Sequence, residues 1–193
     1  ATAMPMNINA KHNKTIKMKT DVKFNYLVDR FADIQVLRYL VPGFEDLTLS
    51  QKLLIYNLTK AAEEGRDILF DQNCRYNLLV RGALERMYMM EGMDKSSDDY
   101  NAFLTYMKQV LFANGIHHHY GCEKFTPAFS KGWFKQQYGK LDAESKSVLE
   151  NLNSNIGEAK TAEETLLKVI FDPTVAPKRV NQADGEDLVK TSA

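Results

Sequence analysis

Cysteine is scarce in this chain: Cys74 and Cys122 are the two thiols in 193 residues. Two thiols allow one bridge but no disulfide framework. They also fall short of the four thiolates of an all-cysteine zinc site. Two separate, partly buried thiols are expected. A charge excess is missing as well. Lys+Arg and Asp+Glu both number 25, so the formal net charge is zero. A nucleic-acid binder needs a basic excess or stripe, so no nucleic-acid partner is expected. No apolar run approaches the roughly 18–20 residues of a membrane span, and Ala1 to Met6 lack the apolar core of a signal peptide. Gly82 and Gly92 stand alone, so no phosphate-cradling loop is present. The nucleophile elbow Gly-x-Ser-x-Gly and the zinc motif His-Glu-x-x-His are also missing.

What remains is ordinary globular composition, 44% hydrophobic and 26% charged, long enough for one good-sized core. Residues 1–22 are polar and lysine-rich and read as a flexible lead-in. Phe31, Ile34, Val36, Leu37, Tyr39, Leu40 and Val41 predict a short extended segment near 34–41, with a helical turn before it and Pro42-Gly43 after. Thr48-Leu-Ser-Gln51 is a capping box. It opens a helix whose Leu54, Leu58, Ala61, Ala62, Ile68 and Leu69 fall at helical spacing, which predicts one buried face. Gly65 inside that helix suggests close packing against another segment. Further helices are predicted over 76–90, 98–113, 131–138 and 143–153. Another opens at the capping box Thr161-Ala-Glu-Glu164 and ends before Pro173. The inward sets are Leu79, Val80, Ala83, Leu84, Met87 and Tyr88, then Tyr100, Phe103, Leu104, Met107, Val110 and Leu111. The fold class is therefore mainly α, a helical domain over 23–175 with minor β structure. The tail over 176–193 is turn-rich and then polar, and reads as leading into further structure.

The segment from Asn114 to Phe129 stands out. It holds three of the four histidines, His117, His118 and His119, beside an Asn-Gly turn and an aromatic run. Gly115 suits the left-handed position after a helix. Adjacent histidines on a helix diverge by roughly 100° and cannot chelate together; on a strand, His117 and His119 would share a face. Glu123 or Cys122 could add a third ligand, but the spacing matches no zinc motif. Histidines that line a cleft or are held by hydrogen bonds are the favoured reading. Cys122 lies three residues after His119, but a Cys–His pair is defined by geometry and not by proximity in sequence. Glu63, Glu64, Asp98 and Asp99 read as solvated faces or helix-start charges. Arg66, Asp67, Asp71, Gln72 and Asn73 surround apolar Ile68-Leu-Phe70 and predict a buried structural hydrogen-bond network.

Three separated blocks carry a resemblance. They are Phe31-Ala-Asp-Ile34 with Leu37-Arg-Tyr39 and Val41-Pro-Gly-Phe44; Glu64-Gly-Arg-Asp-Ile-Leu-Phe-Asp-Gln-Asn73 with Tyr76-Asn77; and Asn114-Gly-Ile-His-His-His-Tyr120 with Lys124-Phe125. With the tail Val175-Ala-Pro-Lys-Arg179, they resemble the N-terminal part of dipeptidyl-peptidase III in its bacterial, Bacteroides-type form. The resemblance covers residues 24–193 in order. It implies a piece of a two-lobed zinc exopeptidase that removes dipeptides from peptide N-termini. In that family one lobe carries His-Glu-x-x-Gly-His, whose two histidines and a later glutamate bind zinc while the motif's glutamate activates water. The other lobe contains a β-barrel. Neither zinc motif nor later glutamate occurs here, so no catalytic residue and no metal ligand is carried over. The chain is expected to be inactive alone, with zinc a cofactor of the full-length enzyme only.

The partners implied by the resemblance are the zinc-bearing remainder of the same polypeptide and a short peptide substrate. Asn114, His117, His118, His119, Tyr120, Lys124 and Phe125 become candidates for the wall of the inter-lobe cleft. A fragment should also expose an apolar face where the missing part docks. The compartment stays open between bacterial cytoplasm and cell envelope or periplasm. Two other readings stand beside this one: a free-standing peptide- or protein-binding module with the same fold, and a small metal-binding protein using His117 and His119.

Overall fold

A computed structural model describes residues 24–179. The expected flexible lead-in and most of the tail lie outside them. Among the described residues the chain forms one antiparallel hairpin, β1 (Leu27–Phe31) and β2 (Ile34–Leu37), and seven helices. These are α1 (Leu49–Glu64), α2 (Arg66–Asn73), α3 (Asn77–Met89), α4 (Asp98–Ala113), α5 (Lys131–Gly139), α6 (Ala143–Asn155) and α7 (Ala162–Phe171). The protein is mainly helical with a small two-stranded sheet.

Most helix starts are chemically marked. The side chains of Thr48, Ser97, Ser130, Asp142 and Thr161 each accept a backbone N–H from the first turn of α1, α4, α5, α6 and α7. Thr48 and Thr161 close full capping boxes with Gln51 and Glu164. Each such oxygen satisfies an amide that the helix itself cannot pair.

Helix α3 is the hub, packing against α2, α4, α5, α6 and α7. Its Leu79, Val80, Ala83, Leu84 and Met87 are buried. Gly82 lets α6 come close: a Cβ there would lie 3.2 Å from Leu152 Cδ1 and 3.5 Å from Leu149 Cδ2. Around this hub runs an aromatic cluster centred on Phe129, with Tyr106, Trp133, Phe171, Phe103 and Phe134 at ring separations of 5.6–6.0 Å. Edge-on and stacked contacts of this kind add to the stabilisation from burial alone.

Several local expectations need correction. Residues before 34 form strand β1 and no helical turn, and β2 stops at Leu37. The pair is joined by a two-residue turn with Ala32 at φ 47. Tertiary pairing therefore overrides the expectation of one extended run. The long helix after Thr48 breaks at Gly65 into α1 and α2. Among the described residues no close neighbour explains that glycine, since a Cβ would meet Ala62 O at 3.5 Å. The predicted buried face of α1 is exposed: none of its residues is buried, and Leu49 is 73% and Leu58 60% exposed. Tyr88 and Leu111 also face outward, and Leu104 is half-buried. The left-handed residue after α4 is Asn114 at φ 53, ahead of Gly115 at φ 149.

One buried side chain ties three elements. Asn77, fully buried at the start of α3, donates from Nδ2 to Phe70 O on α2 (2.9 Å) and accepts at Oδ1 from Ile116 N (3.1 Å). Nδ2 also lies 3.5 Å from Asn114 O at the cap of α4. Gly115 is required beside it, because a Cβ would sit 2.2 Å from Asn77 Nδ2. Asn77→Ala strands buried amide and carbonyl groups and is expected to cost about 2 kcal/mol or more. Chemical denaturation reads this as a lowered midpoint with an unchanged slope.

Candidate functional site

The histidine segment folds into a small sheet-like clip. Phe125 N donates to Ile116 O (2.8 Å) and His118 N to Glu123 O (2.7 Å). Cys122 N donates to His118 O across a turn in which Cys122 takes φ 62. Residues 177–179 add a third rung, through Lys124 N to Pro177 O (3.2 Å) and Arg179 N to Cys122 O (3.1 Å). Neighbouring residues point to opposite sides of such a clip, so the three histidines have three different surroundings.

His117 is 2% exposed, and its Nε2–H donates to Ala176 O (2.8 Å). That bond places the proton on Nε2 and leaves Nδ1 a buried acceptor without a partner among the described residues. Desolvation, with the nearby Lys124 and Arg179 charges adding, holds the imidazole below its ordinary pKa; the bond to Ala176 opposes this. His118 is fixed in the same tautomer by other means. Its Nδ1 accepts from Tyr120 N (3.2 Å) and Gly121 N (3.1 Å), and its Nε2 lies 3.3 Å from Asp33 Oδ2 at the hairpin tip. His119 packs edge-on against Phe112 of α4 at 5.1 Å and tilts over His118 at 4.4 Å and Tyr120 at 4.5 Å. Desolvation, then the neighbouring His118, lowers its pKa. Tyr120 is 85% exposed.

Lys124 reaches under the 172–176 turn, where its ammonium donates to Asp172 O (2.7 Å) and Val175 O (2.9 Å). Two carbonyl dipoles hold a half-buried cation, and desolvation lowers its pKa. Phe125 is buried in the core. Lys124 and Phe125 help line a cavity of 360 Å³ against Ile170, Phe171, Pro173 and Pro177. Asn114 accepts at its backbone oxygen from Asn73 Nδ2 (3.1 Å). The segment is thus chiefly an anchoring device, with Tyr120 as its exposed tip.

His118 Nδ1 is committed to two amides, His117 Nε2 to a carbonyl, and among the described residues no three His, Cys, Asp or Glu side chains converge. Cys122 does not pair with His119. Its Sγ contacts Tyr120 O at 3.6 Å and Arg179 Nη2 at 3.5 Å. Cys74 and Cys122 are separate free thiols, and desolvation raises the pKa of Cys74.

The expected buried network over 66–73 is not buried. Arg66, Asp67, Asp71 and Gln72 are exposed, because α2 turns only Phe70 fully inward. Asp67 pairs with Arg81 at 2.5 Å, and Arg81 also binds Glu85 and covers the Phe70 ring. Asn73 alone of the five makes a partly buried link, to Asn114 O. The polar centre that sequence reasoning missed is Asn77. Its signal was present: it falls on the inward face of α3, one turn before Val80 and two before Leu84. No family model matches the chain, and no curated protein matches it.

The neutral, desolvated His117 makes stability depend on pH. The unfolded chain takes a proton near the ordinary imidazole value of about 6.5, and the folded chain only at lower pH. Between the two the unfolded state binds more protons, so stability is full above that value and falls as pH drops through it. Urea midpoints are expected to decline between about pH 7.5 and about pH 5.5. In His117→Gln the decline is shallower, with His119 supplying the remainder.

Proposed function

We propose that this chain is the N-terminal region of a dipeptidyl-peptidase III-like zinc peptidase, and that it supplies helices and the hairpin to the lobe opposite the zinc. Three sequence blocks, spread from Phe31 to Phe125 and in family order, support the reading. The structural observation that carries it is the uncovered apolar surface. Helix α1 exposes Leu49, Leu53, Leu54, Ile55, Tyr56 and Leu58, and the hairpin and the residues after it expose Val28, Leu37, Tyr39, Leu40 and Val41. A helix of 16 residues with no buried side chain has little tertiary support, and isolated helices of that length are marginal in water. A two-stranded hairpin is also marginal alone. Large apolar side chains exposed in this number mark an interaction site. In this reading the remainder of the polypeptide covers it, and that remainder brings the zinc, the water-activating glutamate and the peptidase activity.

A second reading keeps the fold without the enzyme: a non-catalytic module binding a peptide or protein. Tyr120, exposed and braced by the His118–His119 stack, is the observation that favours it. The reading frame beyond Ala193 separates the two. Continuation into a His-Glu-x-x-Gly-His helix supports the peptidase, and a stop codon supports the module.

In solution, this chain with added zinc is expected to leave a dipeptidyl-arylamide uncut; chelator-sensitive turnover by the isolated chain would overturn its assigned role. Leu53→Asp and Leu58→Asp should change the stability of this chain by no more than about 0.5 kcal/mol, the ordinary effect of a surface substitution. In a longer, active protein the same pair should lower thermal stability and activity together. An unchanged longer protein would mean that nothing covers α1.

A further inference from the structure

Asn114–Gly115 is the one Asn-Gly pair in the chain. Such a pair is reactive wherever the backbone is free to turn. The glycine nitrogen attacks the asparagine Cγ, its proton passes to the departing side-chain nitrogen, and ammonia leaves from a five-membered succinimide. Water then adds across one of the two ring C–N bonds. One opening gives aspartate. The other gives isoaspartate, in which the main chain runs through the former side chain. Glycine favours the attack because no side chain screens its nitrogen and its dihedrals are little restricted.

Three features of the fold hold this reaction off. The first is the backbone of Asn114, at ψ 43°. In an L-residue this sets the Gly115 nitrogen nearly opposite Cβ about the Cα–C bond, whereas ring closure needs the two nearly eclipsed. The second is the nucleophile itself. Gly115 is buried and its N–H donates to Val110 O (2.9 Å), which fixes both the proton and the direction of that nitrogen. The third is the tethering on either side of it. Asn114 O accepts from Asn73 Nδ2 (3.1 Å), and Ile116 N donates to Asn77 Oδ1 (3.1 Å). Turning the Gly115 nitrogen toward Cγ swings Asn114 O the other way, so the cap of α4 and these ties must open together.

We propose that Asn114 is a fold-gated deamidation site, closed in the native chain, opened when the cap of α4 is lost, and one-way once it has reacted. The one-way character lies in the product. Isoaspartate inserts one main-chain carbon between α4 and the histidine segment, and it moves the carbonyl held by Asn73 and Asn77. Asn77 then cannot meet that carbonyl, Phe70 O and Ile116 N from one buried position. A chain that stays open long enough to react is removed from the folding pool. The site uses only the described fold and stands independently of the peptidase reading.

The test incubates the wild-type chain in mildly alkaline buffer and, in parallel, unfolded in guanidinium chloride. Peptide mapping by mass spectrometry follows the Asn114 peptide and separates its aspartate and isoaspartate forms. Conversion is expected to be at least about 100-fold slower in buffer, because a native domain is open no more than about one part in a thousand of the time. Equal rates overturn the gate, and slow conversion in both solutions overturns the site. The isoaspartate chain is then purified and returned to buffer, where it is expected to lose the cooperative unfolding transition. Asn114→Asp carries the same charge on an unshifted backbone. It should refold with only a small loss of midpoint, from a carboxylate at the C-terminal end of α4. An isoaspartate chain that refolds with an unchanged midpoint overturns the one-way step. Should Asn114→Asp also fail to refold, the added charge and not the moved carbonyl is the cause, and the proposal fails equally.

Discussion

The fold turns on one buried amide. Asn77 binds the last turn of α2, the cap of α4 and the first residue of the histidine clip from a single side chain. A fully buried carboxamide is costly unless both its donor and its acceptor are used. Using them requires Phe70, Asn114 and Ile116 to present backbone groups to one point. Gly115 must then lack a side chain, and Asn114 must take the left-handed conformation that ends α4. The Asn-Gly turn, conspicuous beside the histidines, follows from that requirement.

The histidine clip is the next consequence. Once Ile116 is anchored, residues 117–125 pair back on themselves and on 177–179, and Lys124 and His117 pin the turn after α7 from beneath. The clip also reaches the hairpin through His118 and Asp33, while Lys108 of α4 holds Asp29 at 2.7 Å and Phe31 packs on Phe112. The hairpin is therefore attached by its polar and inner side, with Ile34 buried, while its apolar outer side is uncovered. Helix α1 goes further: none of its residues is buried, and its large apolar side chains are exposed. An apolar pattern at helical spacing does not record what packs on the face.

Legibility in the sequence followed the range of the interaction responsible. Helices α3 to α7 are readable because apolar periodicity, with the Thr161–Glu164 capping box at α7, is local, acting within one or two turns. The hairpin was half-read, since its pairing joins residues whose individual propensities suggest a single run. The polar cluster over 66–73 was misplaced by one helix: polarity beside Phe70 pointed inward, but the buried amide is Asn77, and the charged residues before it face water. The histidines stand apart in the sequence. Their separate environments, one buried, one committed to the hairpin and one stacked, depend on strand alternation and on contacts roughly sixty residues away at Ala176 and Arg179.

By itself, then, the sequence determined the mainly helical class and the capping boxes that open α1 and α7, because these depend on composition and near neighbours. Tertiary structure decided three further things. It decided that Asn77 is the buried organiser, that the histidines serve mainly as anchors, and that α1 and the outer hairpin lie uncovered. Each of these rests on which distant groups meet or fail to meet, and burial is a property of that meeting, which no single segment carries.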